Sequence, residues 1–326
     1  MDEKTDSYEA FIAGLPPERT QEFGSPEELE AAFDALGIAQ PTRQLGEGDF
    51  RAHLAVTQTE HADIFLDRYK SGIAIYLEPP PDVVGLMFPR SLSGTFFANG
   101  IEVGNDMLVA FPRKSGIDIS GPGPIGADSI AVSESQFWST AESVCPGLES
   151  QDEVAFLPGN VKTLHALRQR LVELGAAPEP GPSEADVLRF TQDIISWIAD
   201  SHDVWPAETA ATTEARVRAA KIAQDYIRAH YRDAVSIEDL CRETGVGART
   251  LQRCFQEYLH LTASQYLKVV RLDSVRRELA AADNEATSVT TIAIQNGWTH
   301  LGRFSVDYRK HFGEAPRETL AMPMQR

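Results

Sequence analysis

The sequence lacks the marks of a secreted, membrane-spanning or disulfide-stabilised protein. Its three cysteines, Cys145, Cys241 and Cys254, form neither a C-x-x-C pair nor a disulfide framework. No apolar run reaches the roughly 18 residues of a membrane span. The acidic first residues contain no apolar segment typical of a signal peptide. We therefore expect a cytoplasmic chain with free thiols and no membrane partner.

Catalytic and metal-binding motifs are missing as well. The chain has no Walker loop, no G-x-S-x-G motif, and no G-x-G-x-x-G motif in a fitting context. His53 and His61 are isolated, whereas a metal enzyme built on a barrel would need clustered His and carboxylate ligands. These absences predict that the protein is not an enzyme and holds no metal or resident cofactor.

Basic residues are scarce overall but unevenly spread. The chain carries 30 Lys and Arg against 48 Asp and Glu, a formal net charge of −18 over 326 residues. Residues 214–326 hold 17 basic and 14 acidic residues, a net of +3, which leaves −21 for residues 1–213. One interpretation is that the acidic part only keeps the protein soluble. The other is that the C-terminal part alone meets an anionic partner.

The residue pattern in the first half of the chain is typical of a short helical segment followed by strands. Residues 1–45 look helical, with Ser25 as an N-cap and Pro26 at a first helical position. Between residues 50 and 132, short apolar runs alternate with turn residues, and Asn99-Gly100 is a strong hairpin signal. This pattern predicts a β-barrel or sandwich, whose interior would hold a small-molecule effector of unknown identity.

Two amphipathic helices follow the predicted strands and form a hairpin over residues 159–202. Their apolar stripes can either pack on the barrel or form a subunit interface of coiled-coil type. The stripes consist of Leu164, Leu167, Leu171 and Leu174 in the first helix and Leu188, Thr191, Ile195 and Ile198 in the second.

Residues 203–214 have little periodicity and are predicted to be a linker.

The C-terminal part contains a short helix, a glycine turn and a second helix with two distinct faces. Ser236 caps the first helix and Gly245 begins the turn. The outer face of the second helix offers only Arg and Gln, which suit the edges of guanine and adenine. This arrangement predicts a helix-turn-helix unit, although a solvated face of an ordinary helical bundle is the alternative. The inward residues are Leu251, Cys254, Phe255 and Tyr258, and the outward ones are Arg249, Gln252, Arg253 and Gln256.

A similar unit recurs further along the chain. Ser288 caps its short helix and Gly297-Trp298-Thr299 forms its turn. A helix over residues 264–280, about 25 Å long, can hold the two second helices about 34 Å apart, one turn of duplex DNA. The second helix of this repeat is predicted over residues 300–312. It buries Leu301, Phe304, Tyr308 and Phe312 and exposes His300, Arg303, Arg309 and Lys310.

Residues 218–320 resemble the DNA-binding domain of AraC/XylS transcription regulators. The resemblance implies base contacts from the first unit and a second set of DNA-facing residues from the other. Two departures from the family pattern are Gly247, where it prefers a capping Ser, and Val306, where some members place a polar contact. The matching stretches are Ser236-Ile237-x-x-Leu240, Gly245-Val246-x-x-Arg249-Thr250-Leu251-Gln252-Arg253-x-Phe255, Tyr266-Leu267-x-x-x-Arg271-Leu272, and Ala293-x-x-x-Gly297-Trp298-x-His300-x-x-Arg303-Phe304-Ser305-x-x-Tyr308-x-x-x-Phe312-Gly313-x-x-Pro316. The implied contacts are Arg249, Gln252 and Arg253 to bases, Thr299, His300, Leu301, Arg303 and Ser305 in the second unit, and Arg309 near phosphate.

The sequence as a whole predicts a two-part transcription regulator. By the same resemblance, residues 1–158 are a regulatory domain, a cupin-like β-barrel or jelly roll, followed by the helical hairpin. Residues 215–321 are an all-α domain of two helix-turn-helix units joined by a linker helix. The expected partners are double-stranded DNA, a second copy of the chain, RNA polymerase and a small-molecule effector. The alternative is a barrel enzyme or ligand-binding protein whose C-terminal helices form a protein-interaction bundle.

Overall fold

The computed structural model describes residues 3–92, 96–111, 116–146, 148, 154–201, 211–282 and 288–321. A strand-rich N-terminal part precedes a helical C-terminal part, as the sequence predicts. The strands are β1 (Thr20–Phe23), β2 (Thr42–Gln44), β3 (Ala52–Gln58), β4 (Ala62–Tyr69), β5 (Ile73–Leu77), β6 (Val83–Ser91), β7 (Phe96–Ala98), β8 (Ile101–Val103), β9 (Met107–Phe111), β10 (Ile117–Gly121), β11 (Ile125–Ser133) and β12 (Ala155–Pro158). The helices are α1 (Glu3–Ile12), α2 (Pro26–Asp34), α3 (Glu134–Val144), α4 (Val161–Gly175), α5 (Glu184–Ser201), α6 (Ala211–His230), α7 (Ile237–Thr244), α8 (Ala248–Leu259), α9 (Ala263–Ala281), α10 (Val289–Gln295), α11 (Leu301–Phe312) and α12 (Pro316–Ala321).

The strands form two antiparallel sheets that share a core. The larger sheet has the order β1-β3-β4-β11-β6-β9-β12 and the smaller one β2-β5-β10-β7-β8. Apolar side chains of both sheets, such as Phe65, Val109 and Ile117, meet in one buried cluster. Over the described residues neither sheet closes on itself, so the architecture is a pair of open sheets and the finer expectation of a barrel is not established.

Helices α3, α4 and α5 cover the outer face of the seven-stranded sheet. The predicted stripes of the helical hairpin point toward this face, where Leu164, Leu171, Ile195 and Ile198 are fully buried. The stripes therefore find their apolar partners within the chain, which is the first of the two alternatives that the sequence leaves open. Within the described residues, none of the helices is long and apolar enough to cross a membrane.

Helix α9 organises the C-terminal part because it contributes to two separate cores. Its first half, including Tyr266 and Val270, packs with α6, α7 and α8. Its second half, including Leu272, Val275 and Leu279, packs with α10, α11 and α12. One continuous helix of 19 residues, about 28 Å long, thus carries both helix-turn-helix units.

Some elements differ from the sequence-based expectation. Residues 1–45 contain two short strands, β1 and β2, besides the helices, and α3 follows β11 directly. The predicted linker lies partly outside the described residues, and α6 already begins at Ala211 within it. Asn99 and Gly100 both have positive φ and connect β7 to β8, so the predicted hairpin is confirmed.

The C-terminal helices pack against the outer face of the five-stranded sheet. Phe97 of β7 lies in one cluster with Ala220 of α6 and Tyr258 of α8. The Ser120 hydroxyl of β10 donates a 2.8 Å hydrogen bond to the backbone oxygen of Tyr258. At the other end of the sheet, the Gln44 side-chain amide donates to the backbone oxygen of His311 at 2.9 Å. The sheet therefore contacts both helix-turn-helix units.

Candidate nucleic-acid interface

Local capping interactions fix the turn of the first helix-turn-helix unit. The Ser236 hydroxyl accepts the backbone N–H of Asp239, and the Asp239 carboxylate accepts the backbone N–H of Ser236. Hydrogen bonds from the Ser236 hydroxyl and backbone, reinforced by Arg242, lower the pKa of Asp239 to about 2. Helix α7 ends at Thr244, and its C-cap residue Gly245 adopts the left-handed conformation with φ of 70°. The chain then turns directly into α8.

Helix α8 separates an apolar face from a polar one, as its sequence predicts. The inward residues form the contact with α6, α7 and α9 through Leu251 and Phe255. The outward residues are all exposed to solvent and carry donors that could reach base edges or phosphates. Those exposed residues are Arg249, Gln252, Arg253 and Gln256.

The arginine near the centre of α8 already has a carboxylate partner in the free protein. Arg253 Nε lies 2.5 Å from Glu257 Oε1, and Arg216 Nη1 lies 3.4 Å from Glu257 Oε2. The hydrogen bond from Arg253 lowers the pKa of Glu257. Because exposed ion pairs contribute only about 0–1 kcal/mol, this pair leaves the Arg253 guanidinium able to exchange Glu257 for another acceptor.

The turn of the second unit is held against the first unit. At Gly297 φ is 81°, and a Cβ there would lie 3.0 Å from both the Arg232 backbone oxygen and Arg271 Nε. Arg271 in turn donates from Nε to the Tyr231 backbone oxygen at 2.6 Å. Gly297 of the turn after α10 therefore lies close to Arg232, just after α6, and to Arg271 of α9, so the two units approach each other at this turn as well as sharing α9.

Helix α11 also has an apolar and a polar face, but it begins one residue later than the sequence predicts. The helix begins at Leu301, so His300 is its N-cap residue and not its first helical residue. Leu301 is only half-exposed because it packs against the second core. Arg303 Nε is 3.8 Å from Asp307 Oδ2, an acid that also binds Lys268 at 3.3 Å. The exposed residues of the predicted site are Thr299, His300, Arg303, Ser305 and Arg309.

Sequence reasoning missed the ion pairs that join α9 to the N-terminal part. Arg277 donates from both terminal nitrogens to the Glu30 carboxylate, each at 2.7 Å. Arg43 of β2 lies 3.2 Å from Asp273 of α9, and Arg276 contacts Glu27 at 3.4 Å. The hydrogen bond with Glu30 raises the pKa of Arg277. No local pattern could identify these pairs, because more than 200 residues separate the partners.

A cavity of about 790 Å³ lies between the five-stranded sheet and the C-terminal helices. Arg43, Ile75 and Ile119 line it from the sheet, and Lys221 and Arg228 line it from α6. Its volume is within the range of about 300–1,000 Å³ typical of small-molecule sites. Across the described residues, no group of three or more His, Cys, Asp or Glu side chains could hold a metal ion.

Comparison with known proteins finds similarity in the C-terminal part. Residues 240–322 match a family model described as a helix-turn-helix domain. The "Probable thc operon regulatory protein" of Rhodococcus erythropolis is 37% identical over 100 residues, which are 31% of this chain and 30% of that protein. XylDLEGF operon transcriptional activator 2 of Pseudomonas putida is 31% identical over 97 residues, 30% of this chain and 62% of that protein.

Other relatives extend the same pattern. The transcriptional activator RhaS of Escherichia fergusonii is 34% identical over 93 residues, 28% of this chain and 32% of that protein. The chain thus covers less than two thirds of the length of each of these relatives. A solved AraC-type regulator from Chromobacterium violaceum is 28% identical, covers 36% of this chain and 98% of that one, and has a TM-score of 0.32. That score is too low to support a shared fold for the whole chain.

Proposed function

We propose that this chain, whose C-terminal part is a double helix-turn-helix domain of the AraC/XylS type, is a sequence-specific transcription regulator that binds double-stranded DNA. The observation that carries the proposal is the pair of recognition helices, α8 and α11. Both have 12 residues and an exposed basic or polar face, and one helix supports both. Mounted on the 19 residues of α9, the two helices would enter two successive segments of one major groove.

The proposed DNA surface consists of the outer faces of α8 and α11 with the turn before α11. Arginine and glutamine side chains would contact purine edges, and Arg309 would contact phosphate. Leu301 would contribute only the part of its side chain that the second core leaves uncovered. The full set is Arg249, Gln252, Arg253, Gln256, Thr299, His300, Leu301, Arg303, Ser305 and Arg309.

In this proposal the N-terminal part regulates the DNA-binding part. Residues 1–158 form a cupin-like regulatory domain, residues 159–202 a helical hairpin, residues 203–214 a connection, and residues 215–321 the DNA-binding domain. What supports the division is that two antiparallel sheets enclose one core, whereas the C-terminal helices build two others.

A small-molecule effector would bind in the 790 Å³ cavity between the sheet and α6. This location differs from the barrel interior that the sequence suggests, because the space between the two sheets is filled by side chains such as Phe96 and Phe111. An occupant of the cavity would touch both parts of the chain. Its binding could therefore be coupled to the position of the DNA-binding helices.

The proposal further includes a cytoplasmic homodimer that contacts RNA polymerase at its target promoter. The apolar stripes of α4 and α5 are buried against the seven-stranded sheet, so the pairing of two chains would not use them. Sedimentation velocity of the full chain tests this part, with a dimer expected at micromolar concentration and a monomer contradicting it.

The DNA-binding proposal is tested by selecting binding sites for the full chain from random-sequence duplexes at low salt. We expect one sequence to be enriched and its affinity to fall steeply with salt, because phosphate contacts release counterions. Retention of DNA without an enriched sequence would reduce the proposal to non-specific binding. Failure to retain any duplex would favour a helical bundle that binds protein partners.

A further inference from the structure

An unusual pair of residues lies on the outer face of α11. Val306 is 68% exposed, the highest value among the large apolar side chains of the described residues. One turn earlier, Gly302 is exposed, and beyond its own stretch of helix backbone nothing lies within 4 Å of the place where its Cβ would stand. The charged side chain of Arg303 lies beside this pair. Val306 and Gly302 therefore form a small apolar patch within a basic surface.

The stability of the domain does not explain these two residues. The second core is completed by Phe304, Tyr308 and Phe312, and Val306 takes no part in it. A glycine inside a helix costs about 1 kcal/mol relative to alanine, and valine is also a weaker helix former. Both residues thus lower the stability of α11 without a compensating contact within the described chain, which indicates that a partner uses the patch.

Comparison with α8 shows what the patch replaces. Both recognition helices have 12 residues, so their positions correspond one to one. At the second position α8 has Arg249 and α11 has Gly302, and at the sixth position α8 has Arg253 and α11 has Val306. Two arginines of the first recognition helix are therefore replaced by a residue without a side chain and an aliphatic one.

The chemistry of the major groove identifies the group that this patch would contact. Base edges there present hydrogen-bond donors, acceptors and one apolar group, the 5-methyl of thymine. On the basis of the proposed function, we infer that Val306 is a specificity residue that packs against a thymine methyl, and that Gly302 lets the helix approach the base closely. The segment of DNA under α11 then contains a thymine, whereas the segment under Arg249 and Arg253 favours guanine.

The test uses the full chain and the duplex that it selects from random sequences. Each thymine of that duplex is replaced in turn by deoxyuridine, which removes only the 5-methyl group, and affinities are measured for the wild type and Val306→Ala. At one thymine, removal of the methyl group should lower the affinity of the wild type about fourfold, which corresponds to the burial of one methyl group. The same replacement should leave the affinity of Val306→Ala unchanged. At every other thymine the two proteins should respond alike.

Two further variants make the result decisive. Val161→Ala removes an exposed valine of α4, 55% exposed, and should behave as the wild type throughout. Val306→Arg introduces the residue that α8 has at the corresponding position. This variant should prefer guanine at the base pair where the wild type prefers that thymine. If a duplex is selected but no thymine shows a loss that depends on Val306, the inference is overturned while the proposed function stands. If no duplex is selected, both are overturned.

Discussion

Arg253 and Arg303 have different ion-pair partners in the structure, but we expect both to contact DNA in the same way. Arg253 is 63% exposed and bound to Glu257, whereas Arg303 is 81% exposed and only 3.8 Å from Asp307. We predict that Arg253→Ala and Arg303→Ala each weaken specific DNA binding by about 1–3 kcal/mol. Fluorescence anisotropy with the selected duplex measures the loss.

A matched control for these variants exists on α5. Arg189 is also 63% exposed and has an ion-pair partner, Asp186, on its own helix. Arg189→Ala should therefore leave DNA binding unchanged, while changing the overall charge by the same amount. Equal affinities for all three variants and the wild type would remove both arginines from the proposed interface.

His311 links protonation to stability at the contact between the two parts of the chain. Its Nε2 donates to the Gln44 backbone oxygen at 3.2 Å, and Asp273, Glu47 and Lys268 act on it electrostatically. Burial is the largest effect and lowers the pKa of His311 to about 4. Between pH 6.5 and 4 the unfolded chain therefore takes up a proton that the folded chain does not, so stability falls as pH falls.

We predict that lowering the pH from 7.5 to 5.5 destabilises the wild type by about 1 kcal/mol more than His311→Gln. Glutamine retains an N–H donor for the Gln44 backbone oxygen but does not titrate. Urea unfolding curves at the two pH values measure the difference. Identical pH dependence in both proteins would show that His311 is not buried in its neutral form.

At the scale of elements, Gly245 and Gly247 in the turn of the first helix-turn-helix unit have φ angles of opposite sign. Gly245 has φ of 70° and Gly247 has φ of −72° as the N-cap of α8, and apart from the adjoining residues nothing lies within 4 Å of a Cβ added at either position. We predict that Gly245→Ser destabilises the chain by about 1 kcal/mol, whereas Gly247→Ser stabilises it by a few tenths of a kcal/mol.

The two substitutions control for each other because they add the same side chain two residues apart. Unfolding midpoints followed by circular dichroism should shift downward for Gly245→Ser and upward for Gly247→Ser. Shifts of the same sign would contradict the backbone conformations assigned to this turn.

The helices of the C-terminal part could be predicted from sequence, whereas part of the sheet structure could not. Helices α7 and α8 follow from an N-cap serine, a left-handed glycine and a 3.6-residue apolar period, all of which act locally. Strands β1 and β2 are four and three residues long and exist through pairing with β3 and β5. Such short strands carry almost no periodic signal of their own.

At the scale of the whole molecule, the sheet contacts both helix-turn-helix units, and sequence could not predict this. Glu30, Arg43 and Gln44 lie far along the chain from their partners Arg277, Asp273 and His311. Polar and charged side chains such as these, most of them buried or half-buried, pair according to the final packing, so their partners are set by tertiary structure alone. The outward residues of α8 and α11 were predictable because helical periodicity fixes their direction.

The central claim is that α8 and α11 are held at a fixed spacing and bind two successive segments of one duplex. The most direct test inserts five or ten base pairs between the two halves of the selected site and measures the affinity of the full chain. Because α9 carries both units rigidly, either insertion should reduce the affinity to that of a site with one half only. Unchanged affinity after either insertion would contradict the claim.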